Sequence, residues 1–414
     1  MPHAIYTAVR QVLRSHPILF AIPVLSDTEP TYWDRLPSID LTKVISFSQR
    51  RNALDSENSE RDSELDDILE NQHNTSFKAG YGTLPVWRLI ILEDHECKHQ
   101  FMACLIAHHS MSDGTGLQIF HNAFYKALCN PDQGSDDEYI VPSQPNDPIT
   151  LSLEELHELP ISPNPPQSIL SGSNEWTGTP VQLPCKTRYA SLSLRPEVIK
   201  RFSQTCRKHK VPSAAAIPSL VGRLLYNNLP DTTESITCNI PISLRSDLPQ
   251  KHVEGKIGNF IDAFKIKLLR SDLEQDDISI WSHARKIQEA TRAHFANASP
   301  SGQPYTNVAI FKMIPDLSAA LKSTLGNTRG ESFEVSNMGT FSQHRDVGRT
   351  PAVWQTGRAV VSRCAYAAGG PLVVCIITTH ESVVFGFTWQ DGAIADDVVQ
   401  NVIDGCRDFF ESTK

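Results

Sequence analysis

Near the start of the chain Ile5, Val9, Val12 and Leu13 recur at helical spacing, so a helix with one apolar face is expected between Met1 and Ser15. The pattern stops at Ser15-His16-Pro17, because proline disfavours helix in the residue before it. Further on, the spacing gives way to unbroken apolar runs. Leu84-Pro-Val-Trp-Arg-Leu-Ile-Ile-Leu92 and Phe101-Met-Ala-Cys-Leu-Ile-Ala107 are each short enough for a buried strand, and the polar residues between them predict a hairpin. Helical spacing returns at Leu117, Phe120, Phe124, Ala127 and Leu128. His108-His-Ser-Met-Ser-Asp-Gly114 therefore falls on a strand-to-helix turn. Such a turn can present one imidazole to a cleft while the scaffold on either side stays rigid, a good position for a general base.

Polar stretches divide these patterns. Leu54 to Glu70 is acid-rich and reads as a solvated loop leading into a short helix. From Asn130 to about Thr177 the chain is rich in Pro, Ser, Asn and Asp, with one short helical piece near Leu151 to Leu159. A stretch of that length without a core pattern is a linker or crossover. The expected division is residues 1–130, a connecting segment 131–180, and residues 181–414. The second half opens with a strand at Thr187 to Leu194 and a helix from Pro196 to Lys210, proline being suited to a first helical turn. Ser213 is placed to cap the next helix, which carries Leu220, Val221, Leu224 and Leu225 and is expected to kink at Pro218. A strand from Ile236 ends in Arg245, and Gly258-Asn259-Phe260 follows. Ser332 to Val335 predicts a strand leading into Ser336-Asn-Met-Gly339. Strands at Ala359 to Ala365, Leu372 to Thr379 and Val383 to Trp389, and a helix from Ile394 to Phe410, complete the pattern.

Composition narrows the class. With 414 residues, 40% hydrophobic and 21% charged, the chain has room for two domains of ordinary globular character. A net charge of -9 argues against a nucleic-acid partner, which requires a basic face. Nine cysteines are scattered without a Cys-x-x-Cys pair, as expected of free thiols in a reducing compartment. No basic-apolar-small leader opens the chain and no apolar run is long enough to span a bilayer, so a cytoplasmic location is expected. No Gly-x-Ser-x-Gly, Walker or dinucleotide glycine pattern is present.

His109-x-x-x-Asp113 is the arrangement that carries chemistry. Among 15 histidines and 47 acidic residues about one such spacing arises by accident, so the spacing alone is weak. Here it occurs once, and as the fuller His-His-x-x-x-Asp-Gly on a strand-turn-helix. A competing pattern, His95-Glu-Cys-Lys-His99, matches the zinc signature His-Glu-x-x-His. Two histidines four apart reach one metal only on a helix, and this stretch has the polar character of a hairpin tip. No metal is expected.

The His108–Gly114 motif resembles the acyltransferase superfamily that includes chloramphenicol acetyltransferase, the plant acyl-CoA-dependent transferases and the condensation domains of peptide synthetases. Pro85-x-Trp-Arg-Leu89 and His16-Pro-x-Leu19 are similar to the fungal alcohol O-acetyltransferases within it. In that family the helix ending at His-Pro-x-Leu is preceded by the first domain's opening strand, which is expected to be missing here. The resemblance runs in order over about residues 1 to 410. It implies an α/β (α+β) architecture of two chloramphenicol acetyltransferase-like domains with mixed sheets. His109 would lie near their interface, on a channel entered from both sides. It also implies that Arg245 pairs with Asp113 and that Gly258-Asn259 and Ser336-Asn-Met-Gly339 lie near that channel. Asp346-Val-Gly-Arg-Thr350 stands roughly where plant members carry Asp-Phe-Gly-Trp-Gly, and most of that motif is absent.

The implied chemistry is acyl transfer from a thioester, acetyl-CoA or another acyl-CoA, to the hydroxyl of a small or natural-product alcohol. His109 would be the general base, Asp113, Gly114 and Arg245 the support of the turn, and Ser336 or Asn337 the oxyanion donor, with no cofactor bound. His108 is read as a packed neighbour. The expected partners are acyl-CoA and a small-molecule acceptor, the protein acting as a monomer. A carrier-protein donor, an amine acceptor, or a non-catalytic binding protein that retains the fold are the alternatives.

Overall fold

A computed structural model of the chain describes residues 1–24, 32–53, 60–97, 99–131, 139–163, 174–273, 280–341 and 354–412. Asp346 and its motif lie outside the described residues. The first helix, α1 (Pro2–Ser15), ends where His16-Pro17 was expected to stop it. It buries Ile5, Val9, Val12 and Leu13. Short strands β1 (Ala21–Val24), β2 (Tyr32–Arg35) and β3 (Ser38–Asp40) follow, then a single helical turn α2 (Leu41–Val44) and strand β4 (Ile45–Gln49). Helix α3 (Ser63–His73) comes next. The expected hairpin is β5 (Trp87–Glu93) and β6 (Phe101–Ala107), paired antiparallel from Trp87 with Ala107 to Glu93 with Phe101. Strand β4 adds to β5 in parallel, which makes a three-stranded mixed sheet. Helix α4 (Gly114–Cys129) then packs against α1. The apolar cluster beneath these elements contains Ile5, Val9, Trp87, Leu89, Phe120 and Phe124.

The connecting segment is not wholly irregular. It contains β7 (Ile140–Pro142), which returns to pair with β3, and a turn of helix α5 (Leu153–Leu156) held by a capping box between Ser152 and Glu155. Then come β8 (Thr187–Leu194), α6 (Pro196–Lys208), α7 (Ser213–Asn227), β9 (Ser235–Ser243), the turn α8 (Gln250–Val253), β10 (Ile261–Leu269), α9 (Trp281–Ala296) and α10 (Leu317–Ser323). Strands β11 (Phe333–Thr340), β12 (Leu372–Thr378) and β13 (Val383–Gln390) and helix α11 (Asp396–Ser412) close the chain. The six long strands form one mixed sheet in the order β10-β9-β11-β12-β13-β8, parallel only where β11 meets β9 and β12. Alternation along each strand decides its two faces. Ile236, Cys238, Phe333, Val335, Leu372, Val374, Phe385 and Phe387 join α6, α7, α9 and α11 in the larger apolar cluster. Their neighbours Thr237, Asn239, Glu334, Ser336 and Cys375 fall on the opposite, more polar face.

Several expectations are corrected by packing. Residues 359–365 form no strand: the segment crosses the sheet instead of pairing with it. The Val361 carbonyl sits where a side chain at Gly386 would be, and Val360 packs on the cluster of Leu65, Leu69, Ile90 and Cys104. The acid-rich stretch is not simply solvated. Asp62 is held by Arg50 at 2.7 Å and Arg358 at 2.6 Å, and Asp66 accepts from Ser191 of β8 at 2.6 Å with 1% of its surface exposed. Carboxylates that close to cations and donors have partners in the fold that sequence periodicity does not reveal. The residue before α7 is Pro212, so Ser213 lies inside the first turn, and the helix continues through Pro218. Ser336 to Gly339 belongs to β11 instead of following it, and Arg245 lies beyond β9, in a short 3-10 turn from Arg245 to Asp247.

Candidate active site

The turn between β6 and α4 is folded around one carboxylate. Asp113 is the residue before the helix. Its Oδ1 accepts from the Gly116 N–H at 2.8 Å, and its Oδ2 accepts from Arg245 Nη1 at 2.5 Å and from the Phe260 N–H at 2.9 Å. With 1% of its surface exposed, it caps α4 and ties the motif to the loop that follows β9. The loop answers with backbone groups. The Gly258 carbonyl accepts from the Asp113 N–H at 3.1 Å and from Arg245 Nη2 at 3.2 Å. The Arg245 guanidinium also lies 4.9 Å above the centre of the Phe260 ring. A Cβ on Gly258 would be 2.6 Å from that ring, so the close approach requires glycine.

Both histidines of the motif are exposed, and they differ in their partners. His108 has its N–H bonded to the Val86 carbonyl at 2.9 Å and its Nδ1 2.6 Å from Ser110 Oγ, with the Phe77 ring edge-on. Burial, and then the neighbouring charge of His109, hold its pKa below the ordinary histidine value. His109 has its carbonyl fastened by Asn259 Nδ2 at 2.9 Å. The backbone of the turn is thus fixed from both sides while the His109 side chain faces outward.

Strand β11 comes up to the same turn. A Cβ on Gly114 would overlap the end of the Met338 side chain, and Gln118 Nε2 donates to the Met338 carbonyl at 3.0 Å. Ser336 shares the Met338 side of the strand, its Oγ 3.8 Å from the Met338 sulfur. Asn337 is exposed on the other side and its Oδ1 accepts from the Gly339 N–H at 2.9 Å. The structure therefore brings together His109, Asp113, Gly114, Arg245, Gly258, Asn259 and the Ser336–Gly339 stretch. Asp113 and Arg245 form the ion pair, and Gly258 and Asn259 brace the back of the turn.

Sequence reasoning did not single out a third group on this face. Glu334, two residues before Ser336 and 3% exposed, accepts from Asn239 Nδ2 at 2.8 Å and from Arg363 Nη1 at 2.5 Å. Its carboxyl is pushed above the ordinary value by burial, a shift opposed by Arg363, Asn239 and the charge of His109. The available signal was a lone charge inside an apolar run, in Phe333-Glu-Val335 and again in Val360-Val-Ser-Arg363. The zinc-like spelling sits on a turn. Asp94 Oδ1 accepts from the Glu96 and Cys97 N–H groups, and the described residues between β5 and β6 form no helix. Among the described residues no cluster of three potential ligands could hold a metal, and no helix is long and apolar enough to cross a membrane.

Comparison with known proteins agrees with this architecture. The alcohol acetyltransferase family model matches residues 3–162 and 167–383. A probable alcohol acetyltransferase of Aspergillus fumigatus, crmB, is 39% identical over 98% of this chain and 90% of its own length. Among solved structures, the trichothecene 15-O-acetyltransferase TRI3 of Fusarium sporotrichioides superposes with a TM-score of 0.72 at 12% identity, over 99% of this chain and 86% of that one. SgcC5 of Streptomyces globisporus superposes with a TM-score of 0.63 at 14% identity, over 99% and 89%. At such identities the likeness speaks for the two-lobed acyltransferase fold, whereas the family match and the fungal relative speak for the chemistry. The chain belongs to the alcohol acetyltransferase family and is an acyltransferase.

Proposed function

We propose that the protein transfers an acetyl group from acetyl-CoA to the hydroxyl of a small or natural-product alcohol, with His109 as general base. The observation that carries this reading is the division of labour in the motif. Every bond of the Asp113 carboxylate is spent on Gly116, Arg245 and Phe260, whereas the His109 imidazole faces outward on a turn held by Asp113, Asn259 and Gly258. A carboxylate so engaged, with 1% of its surface exposed, is closed to a substrate, whereas the His109 side chain is open to one.

An alcohol is a weak nucleophile at neutral pH, so a neutral His109 nitrogen takes its proton as the oxygen attacks the thioester carbonyl. The tetrahedral oxyanion requires a donor. Ser336, on the Met338 side of β11, is better aimed for this than Asn337, which lies on the other side. Collapse breaks the C–S bond, and the CoA thiolate leaves with the proton that His109 returns. No acyl-enzyme forms. Arg245 and Asn259 act by positioning: they hold the turn that aims the base.

Incubating the full chain with acetyl-CoA and a panel of alcohols and amines, and following CoA thiol release together with the mass of the product, tests the reading. Ester formation with alcohols is the expected result. Amide products alone, or turnover only with a pantetheine-bearing carrier protein as donor, would contradict it.

A further inference from the structure

Residues 354–366, which include the stretch 359–365 that was expected to be a strand, form a strap across the polar face of the six-stranded sheet. It is fastened along its length. The Trp354 ring stands 5.4 Å from Phe101, with Tyr125 donating to the Trp354 carbonyl at 3.2 Å. Arg358 meets Asp62, Ser362 Oγ lies 2.8 Å from His73 Nε2, and the Ala365 N–H donates to Thr187 Oγ1 at 3.1 Å. Arg363 is therefore carried to its place by a backbone anchored on both sides, a side chain oriented before any ligand arrives.

That place lies on the strand face that leads to the motif. Glu334, which holds Arg363, shares a strand face with Ser336 and Met338, and Met338 abuts Gly114. Glu334 and Met338 are about 13 Å apart along the strand, and the charge of His109 acts on the Glu334 carboxyl. Both oxygens of Glu334 are in use, one on Arg363 and one on Asn239. Arg363 is not used up. Among the described residues only its Nη1 has a hydrogen-bond partner, and 26% of the side chain reaches solvent. A buried ion pair adds little to stability compared with well-packed apolar side chains, so one whose arginine is partly open on this face is better explained by what its spare donors do.

We infer that Arg363 reads the acceptor: its spare N–H groups hydrogen-bond a second oxygen of a neutral, multiply oxygenated alcohol whose reacting hydroxyl lies against His109. The inference rests on the acyl transfer proposed above. Neutrality follows from the local charge. Glu334 balances Arg363 at 2.5 Å, and the neighbouring Lys265 and Lys267 are matched by Glu331 at 3.1 Å and Glu175 at 3.0 Å. Among the described residues these three cations are each matched by a carboxylate, which leaves none of the three spare for an anionic acceptor. Glu334 and Asn239 are positioning residues for the guanidinium, which touches the substrate itself.

The test uses the full chain with acetyl-CoA and matched acceptors: cyclohexanol, its analogues bearing a second hydroxyl at the 2, 3 or 4 position, and 4-hydroxycyclohexanecarboxylate. The wild-type protein is expected to prefer at least one diol over cyclohexanol by about 10-fold in kcat/KM, the worth of one hydrogen bond to a charged donor, mainly through KM. The carboxylate should be a poorer acceptor than the diols. Arg363→Lys, and the charge-neutral pair Arg363→Met with Glu334→Gln, should each reduce the diol preference to below about 3-fold while the KM for acetyl-CoA stays the same. Because the preference is a ratio between two acceptors on one preparation, partial misfolding cannot mimic its loss, and should the double variant not fold, Arg363→Lys decides alone. A wild-type protein indifferent to the second oxygen, a preference for the carboxylate, or a preference that survives in Arg363→Lys would overturn the inference and leave acyl transfer standing. No thiol release with any acceptor would overturn both.

Discussion

Asp113 and His109 stand four positions apart in one turn, and burial separates what they can do. A carboxylate with 1% of its surface exposed and three donors around it is a strut, whereas an exposed imidazole on a fixed backbone can exchange protons. The same contrast between buried and open histidines bears on stability. Burial, and then the Lys256 charge, lower the pKa of His16 to about 4, from an unfolded value near 6.5. Above pH ~6.5 both states are neutral at this site. As the pH falls toward 4 the unfolded chain takes up a proton that the folded chain does not, so stability present at neutral pH drains away across that window, by roughly 2 to 3 kcal/mol for His16 alone. Urea unfolding between pH 7 and 4 should show this decline, and His16→Gln should make it shallower. A steeper decline in the variant would refute the assignment. His95 and His99 belong to the opposite class, side chains on a hairpin turn. Purified protein should carry no stoichiometric zinc, and chelators should leave its rate unchanged. Zinc found by elemental analysis and lost in His95→Ala would show that the turn rearranges into a site.

At the scale of elements, the turn works because α4 starts on a capped glycine pressed against β11. Gly114→Ala would push a methyl into the end of the Met338 side chain, and a shift of the turn by a fraction of an ångström should lower the rate about 10-fold to 10²-fold. Met338→Ala in the same chain opens that space and should restore most of the loss. Steady-state rates for the single and double variants check this, and a wild-type rate for Gly114→Ala would mean that β11 does not press on the turn. Much of this level was legible in the residues. The hairpin β5–β6, helix α4 and strands β8, β12 and β13 carry long apolar runs or periods, and each fell within a residue or a few of its expected limits. What was not legible has physical reasons. Ala21–Val24 and Ser38–Asp40 are too short to show a period and gain their strand character from partners far along the chain. The apolar residues of 359–365 promised a strand, but β12 and β13 already pair with each other, so the segment lies across the sheet with Val360 partly buried against Leu65, Leu69, Ile90 and Cys104. Asp62 and Asp66 looked solvated because the residues that neutralise or bond them, Arg50, Arg358 and Ser191, come from elsewhere.

At the scale of the whole molecule, the first and second halves of the chain meet through both apolar packing and polar bonds, and the Asp113–Arg245 ion pair is one of the bonds that tie the motif to the second half. The pair joins residues 132 apart in sequence, which no local pattern could reveal; only the family resemblance pointed to it. Removing one partner strands a buried charge, at a cost of about 3 to 5 kcal/mol, so Asp113→Ala and Arg245→Ala should each lower stability and rate together. The double variant should lose far less stability than the sum of the two, because the second deletion removes the stranded charge. Denaturant unfolding of the four proteins measures the coupling, and strict additivity would show that the pair is not formed in solution. The measurement that bears most directly on the account is CoA thiol release from acetyl-CoA with an accepted alcohol, compared for the wild-type protein, His109→Ala and His108→Ala. Loss of the base should lower the turnover of folded His109→Ala by about 10²-fold to 10⁴-fold, while His108→Ala loses much less. Equal losses in the two variants, or a wild-type rate in His109→Ala, would contradict the assignment of His109 as the general base.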